Sequence, residues 1–468
     1  MKTADRSVNL VRALNLACIA GLSAGPALAH PAQGGFVLLL PTGVYTAAGV
    51  GAVALSVLIV ALVPLRALDR LFPVPPAPKA PGRAATFGGI VALIALAGLI
   101  WVGFYGPRDP LSNLLPLAIW TLWWIGFVTL QGALGDLWRW INPFTGFHRT
   151  LWGDVPPPLR LPGWVGHWPA VIGFLLIIGF SLADIAPDDP ARLAGFVMGY
   201  ALFTLAAMAL FGREWLMRGE CFTLLLTLFA RLAPFQAGRI GMPGRGALSL
   251  PIDLSLAVFI LSLLAAGSFD GLNDTFWWMA RIGINPLDFP GRSAVVTPTT
   301  LGLIGAVALL IATFALAVLA GWLLLRAFAP AGPLPPLKQA FCRLSLSVLP
   351  IAFGYHVAHF LTSFLVNVQY SVAALTDPLA NGADLLNLGQ FYVTTGFFNT
   401  RATVQAIWLA QAGAIVMAHI TGVLLAHRIA GGLFGGGRRA VLGHLPLALF
   451  MVAYTLLGLW LLAAPRIG

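Results

Sequence analysis

Along this chain, apolar stretches of about 20 residues alternate with short connections rich in arginine, proline or aspartate. A hydrocarbon core about 30 Å thick takes roughly 20 helical residues to cross, so each stretch predicts one spanning helix. They run near 43–64, 86–105, 112–133, 166–184, 191–211, 252–269, 299–325, 344–370, 402–427 and 445–464. The pattern predicts an all-α polytopic transmembrane helix bundle of about ten spanning helices. The apolar piece 221–235 is too short to cross, and Arg218, Arg231 and Arg239 stand around it. It predicts one short re-entrant or interfacial helix.

The connections then orient the bundle. With the mature N-terminus outside, the cytoplasmic connections hold 18 Lys and Arg residues and the outer ones 6. Every cytoplasmic connection is basic, as the positive-inside rule requires. The expectation is a bacterial cytoplasmic (inner) membrane protein with both mature ends outside. The outer connections gather aspartate instead, including Asp109, Asp184, Asp188, Asp270, Asp274, Asp377 and Asp384. Two of them, Ser268–Pro298 and Ser371–Arg401, are long enough to form a lid over an outward cavity or to float Trp277 and Trp278 at the interface. Before the first span, Lys2, Arg6 and Arg12 precede an apolar run that ends Ala27-Leu28-Ala29. That reads as a signal peptide over 1–29, cleaved to leave 30–468 as a single multi-spanning membrane domain.

Composition narrows the class further. The chain is 59% hydrophobic and only 9% charged, where a soluble domain carries about a quarter charged residues. Its natural partner is the lipid bilayer. A net charge of +11 in a soluble protein would suggest nucleic acid; here the basic connections account for it, and no nucleic acid is expected. Cys18, Cys221 and Cys342 have neither metal nor disulfide spacing.

The informative residues are polar ones placed inside spans, where they are costly and mark function or paired structure. The eighth span carries Ser345, His356, His359, Ser363, Asn367 and Tyr370. At 100° per residue these fall within an arc of about 80°, one stripe along one helix face. The ninth span spreads Arg401, Gln405, Gln411, His419 and His427 over about half its circumference. Both predict a shared polar interior. His356 and His359, one turn apart, suit a divalent transition metal such as zinc or copper. His419 is a candidate third ligand, about 10 Å away in depth at 1.5 Å per residue. His30, if it becomes the mature N-terminus, offers an amine and a ring nitrogen together. Haem between His356 and His419 and plain helix-to-helix hydrogen bonding stay open. No G-x-S-x-G, nucleotide loop or H-E-x-x-H pattern occurs.

Four segments carry a resemblance. They are the turn Gly106-Pro107-Arg108-Asp109-Pro110 with Asn113, the helix Ile119-Trp120-Thr121-Leu122-Trp123-Trp124, the run Gly135-Asp136-Leu137-Trp138-Arg139-Trp140-Ile141-Asn142-Pro143-Phe144, and Gly354-Tyr355-His356-Val357-Ala358-His359-Phe360. With Ala29-His30, they resemble the bacterial polytopic membrane proteins known as fenitrothion hydrolase, over most of the chain. The resemblance implies hydrolysis of organophosphate-type esters and carries no set of catalytic residues with it. Phosphotriester hydrolysis commonly uses a metal-bound hydroxide, and the sequence shows no buried carboxylate cluster to bridge two metals. The expectation is thus a membrane-embedded, metal-dependent hydrolase. His356 and His359 would hold the metal, and Asn367 and Tyr370 would orient a small apolar substrate. A transporter or metal-handling permease using the same stripe is the alternative, and a structural subunit of a membrane complex the third.

Overall fold

The computed structural model describes residues 40–466, apart from 77–81, 154, 237, 289–290 and 331. The expected signal peptide and His30 lie outside the described residues. Among the described residues, ten helical spans are long and apolar enough to cross a membrane, so the chain is an all-α, multi-pass membrane protein. They are α1 (Thr42–Leu62), α2 (Arg83–Tyr105), α3 (Leu114–Leu134), α4 (Trp168–Ala183), α5 (Pro190–Phe211), α6 (Leu254–Asn273), α7 (Arg292–Phe328), α8 (Leu349–Thr376), α9 (Arg401–Phe434) and α10 (Arg438–Ala463).

Burial sorts these helices. In α6, 78% of the apolar stretch is buried inside the protein, against 17% in α1 and in α2. The apolar faces of α1 and α2 therefore look outward to lipid, while α6 and α8 form the interior against which polar side chains can turn. Gly354 makes part of that interior possible. A Cβ there would stand 2.3 Å from the Cβ of Ala418, so only glycine lets α8 and α9 approach this closely.

Three local departures from the hydropathy pattern matter for the site. The sixth span, expected to end at 269, continues to Asn273. Its last turn is held by Thr299, whose hydroxyl donates to the Asn273 side chain at 3.0 Å. Asp270 is thus a helix residue and not part of a loop. The eighth span is interrupted: the helix Leu337–Ser345 passes through a 3₁₀ turn at Leu346–Val348 before α8 begins. Ser345 bonds the carbonyl of Cys342 in its own turn and drops out of the stripe. Within α3, Leu117–Phe127 forms a π-helix, a rare geometry that favours functional sites.

The short helix Cys221–Ala230 does not span, and most of it is buried within the bundle. Glu220 caps its start by accepting from the backbone N–H groups of Phe222 and Thr223 at 2.8 and 2.7 Å. Trp138 and Asn142 both donate to the Thr223 hydroxyl, at 3.1 and 3.0 Å. The run from Gly135 to Phe144 therefore pins this helix in place. Asn113 likewise closes the turn after α2, donating to the carbonyls of Val102 and Pro107 at 3.1 and 2.7 Å.

Candidate functional site in the polar cavity

A cavity of about 270 Å³ lies between α3, α4, α6 and α8, with Leu225 and Phe229 of the short helix at one side. Its polarity is graded along its depth. Asp188, Asp274 and Arg292 stand at the mouth, and all three are exposed. Asp270 and His359 come next, and Leu263, Ala352, Leu225 and Phe229 line the deep end. Asp270 sits one helical turn, about 6 Å, below Asp274, the residue that caps the end of the same helix.

The central contact joins two helices. His359 Nε2 of α8 meets Asp270 Oδ2 of α6 at 3.1 Å, with the two side chains 8% and 20% exposed. A carboxylate accepts, so Nε2 carries the hydrogen and Nδ1 is the basic nitrogen. Nδ1 is buried and has no partner within the protein; the same holds for the Tyr355 hydroxyl and for His356 Nε2. Buried polar atoms without partners are few in native proteins, and here three gather on one helix face. The Tyr355 and His359 rings stack, 5.6 Å between centroids. Gly271 leaves room beside both. A Cβ on it would fall 2.0 Å from the Tyr355 hydroxyl and 3.5 Å from His359 Nδ1.

His356 has a different setting. Its ring lies edge-on to Trp124 at 5.4 Å and to Phe360 at 5.1 Å, an aromatic collar deeper than the His359–Asp270 pair. Ser363 and Asn367 line the cavity further along α8. Tyr370, half-buried, lies outside the lining.

His419 is not brought to this site. Its Nδ1 bonds the Ile415 carbonyl one turn back at 2.8 Å, and its ring is near Tyr454 of α10. Gln411 donates to the Ala358 carbonyl of α8 at 2.7 Å, and Gln405 to the Tyr45 hydroxyl of α1 at 2.9 Å. The polar residues of the ninth span thus tie it to three neighbours and do not share the cavity of the eighth. Among the described residues, no three or more His, Cys, Asp or Glu side chains are placed to hold one metal ion.

Compared with known proteins, the chain matches no family model, no curated protein and no solved structure. The site is therefore read from its own chemistry.

Sequence reasoning reached His356, His359 and Asn367. It missed Asp270 and Asp274 because apolar character ends at 269. Their spacing of four residues, one helical turn, was the available signal that the helix continues. Arg292 and Asp188 gave no comparable signal, since only folding brings their connections to one mouth. Asp274 also shows what the mouth does to charge: exclusion of water by the surrounding protein, followed by the Asp270 charge, raises its carboxyl to about 6.

Proposed function

We propose that this protein is a membrane-embedded hydrolase of small, uncharged, apolar esters, with the organophosphate triesters implied by the resemblance as the leading class. The single observation that carries the reading is the His359–Asp270 contact on the wall of a cavity whose mouth is polar. Asp270 holds the imidazole in one tautomer. His359 Nδ1, buried in the resting protein and uncovered as substrate enters, would take a proton from water as its oxygen bonds to phosphorus and the aryloxide leaves. Asp270 would stabilise the imidazolium that results. Ser363 and Asn367 supply hydrogen-bonding groups to orient the ester.

The substrate's lack of charge follows from the mouth. Among the described lining residues Asp188, Asp270 and Asp274 outnumber the single cation Arg292, and with Arg466 beside the mouth the acids still prevail, so an anionic ester would be repelled. Among the described residues, the donors of the cavity do not converge as a three-ligand set that would hold a metal. The charge pattern of the connections supports an inner-membrane location with the cavity mouth on the outer side.

The test is release of nitrophenol from an aryl phosphotriester by purified protein in liposomes. His359→Ala is expected to lower turnover roughly a hundredfold or more, and Asp270→Asn to lower it while displacing its pH profile. Full activity in a folded His359→Ala protein would remove this reading. A proton-coupled permease is the second reading, favoured by the easily protonated Asp274 beside Asp270. It requires substrate flux across the liposome without any bond broken.

A further inference from the structure

A second chamber, of about 260 Å³, adjoins the polar cavity. Leu96, Leu99, Ile177, Phe196 and Val197 form much of its wall, between α2, α4 and α5. Trp120, Trp124, Ile178 and Ser181 belong to both walls. The partition between the two spaces is thus one side chain thick.

The π-helix of α3 supplies that partition. It turns Thr121 and Ile125 toward the polar cavity, Ala118, Ile119 and Trp123 toward the apolar chamber, and sets Trp120 and Trp124 between them. The chamber also reaches the lipid-facing surface, because Ala95 lines it and is exposed on α2 beside Ile94. Each space alone, at about 260–270 Å³, falls short of the roughly 300–1,000 Å³ usual for ligand pockets, whereas the pair lies within that range.

We propose that the two spaces form one site for a single-chain amphiphile. Its hydrocarbon chain enters from the bilayer and lies in the chamber, and its uncharged ester or amide head passes Trp120 and Trp124 to reach His359. An anionic head fits poorly. Among the described lining residues the one cation, Arg292, is already engaged with the carbonyls of Ser181, Leu182 and Asp184, and Arg466, paired with Thr275 beside the mouth, donates to the Leu461 carbonyl. The identity of the head rests on the hydrolase reading; the seat of the chain does not.

The experiment uses a dodecyl N-methylamide bearing a diazirine at the chain end, a probe that this site would not hydrolyse. It is irradiated with the full-length protein in phosphatidylcholine liposomes and mapped by peptide mass spectrometry. Labelling is expected at Leu96, Leu99, Phe196 or Val197. Ala92→Phe and Val197→Trp, which fill the chamber from two different helices, are each expected to lower it about tenfold with melting unchanged, and His359→Ala to leave it intact. Labelling scattered over lipid-facing positions such as Ile94 and Leu202, and indifferent to both filling variants, would overturn the proposal. Turnover of a short-chain triester separates the two readings. Such turnover without chamber labelling ends this inference alone, and chamber labelling without any turnover ends the hydrolase reading alone.

Discussion

Two groups of buried histidines occupy this bundle, and they differ in what faces them. His419 and His444 bond the carbonyls of Ile415 and Ala440, one turn back on their own helices, at 2.8 and 2.7 Å. The His427 and His444 rings pack against each other, 4.7 Å between centroids. His419 and His444 spend a polar nitrogen on the helix that carries them, and the group otherwise acts as packing. His359 instead meets a carboxylate delivered by another helix; an unpartnered second nitrogen it shares with His419 and His444. Residue type is the same in the two groups, and His359 is only somewhat less buried than the others. The facing helix decides which histidine is available for chemistry.

The largest expected effect tests that contrast directly. His359→Ala should remove turnover by roughly a hundredfold or more while leaving thermal stability near that of the wild type. His419→Ala should do the reverse: turnover within about twofold, and a loss of roughly 1–3 kcal/mol from the cavity and from the loss of its ring's packing. Measuring both quantities for both variants in one detergent suffices. Equal losses of turnover would show that the two regions work as one site, and the distinction would collapse.

A smaller effect should appear at Gly271. A methyl group there collides with the Tyr355 hydroxyl at 2.0 Å, so Gly271→Ala should cost about 1–3 kcal/mol through overpacking and impair turnover by shifting the stacked Tyr355–His359 pair. Tyr355→Phe removes the colliding oxygen. In the double variant Gly271→Ala/Tyr355→Phe much of the lost stability should return, a coupling that a double-mutant cycle reads. Additive losses would mean that the methyl group is accommodated by moving α6, not Tyr355.

Much of this architecture is legible in the sequence, and what is not has physical causes. Helix length against bilayer thickness placed all ten spans, because no other structure satisfies the backbone of so many apolar stretches in lipid. The stripe on the eighth span identified His356, His359, Ser363 and Asn367 as facing protein. Ser345 fell out of it because a 3₁₀ turn changes the helical phase, and periodicity assumes a constant one. Asp270 and Asp274 were hidden because hydropathy measures partitioning, while the helix end is set by a hydrogen bond from Thr299, 26 residues on. The π-helix beneath Trp120 and Trp124 has no signature in composition. The motifs behind the family resemblance divide in the same way: Asn113, Trp138 and Asn142 hold turns and the short helix together, while Trp120, Trp124, His356 and His359 line the cavity.

The smallest expected effect concerns Asp274 and marks the cavity as the region where charge is under tension. Its carboxyl is raised from 3.8 to about 6, by exclusion of water first and by the Asp270 charge second. The folded protein therefore binds this proton more tightly than the unfolded chain does. The resulting stabilisation is complete below about pH 4 and is lost as pH rises through about 6, where the folded protein must carry the crowded charge. Asp274 is exposed at the mouth, so solvent screens the effect and it stays modest. The wild-type melting temperature should fall slightly across that window, and Asp274→Asn should flatten the fall. Asp109, which lies away from the cavity, serves as the control: Asp109→Asn should keep the wild-type slope. A slope unchanged by Asp274→Asn would place the tension on the other shifted carboxyl of the mouth, Asp188, which the surrounding protein also pushes up.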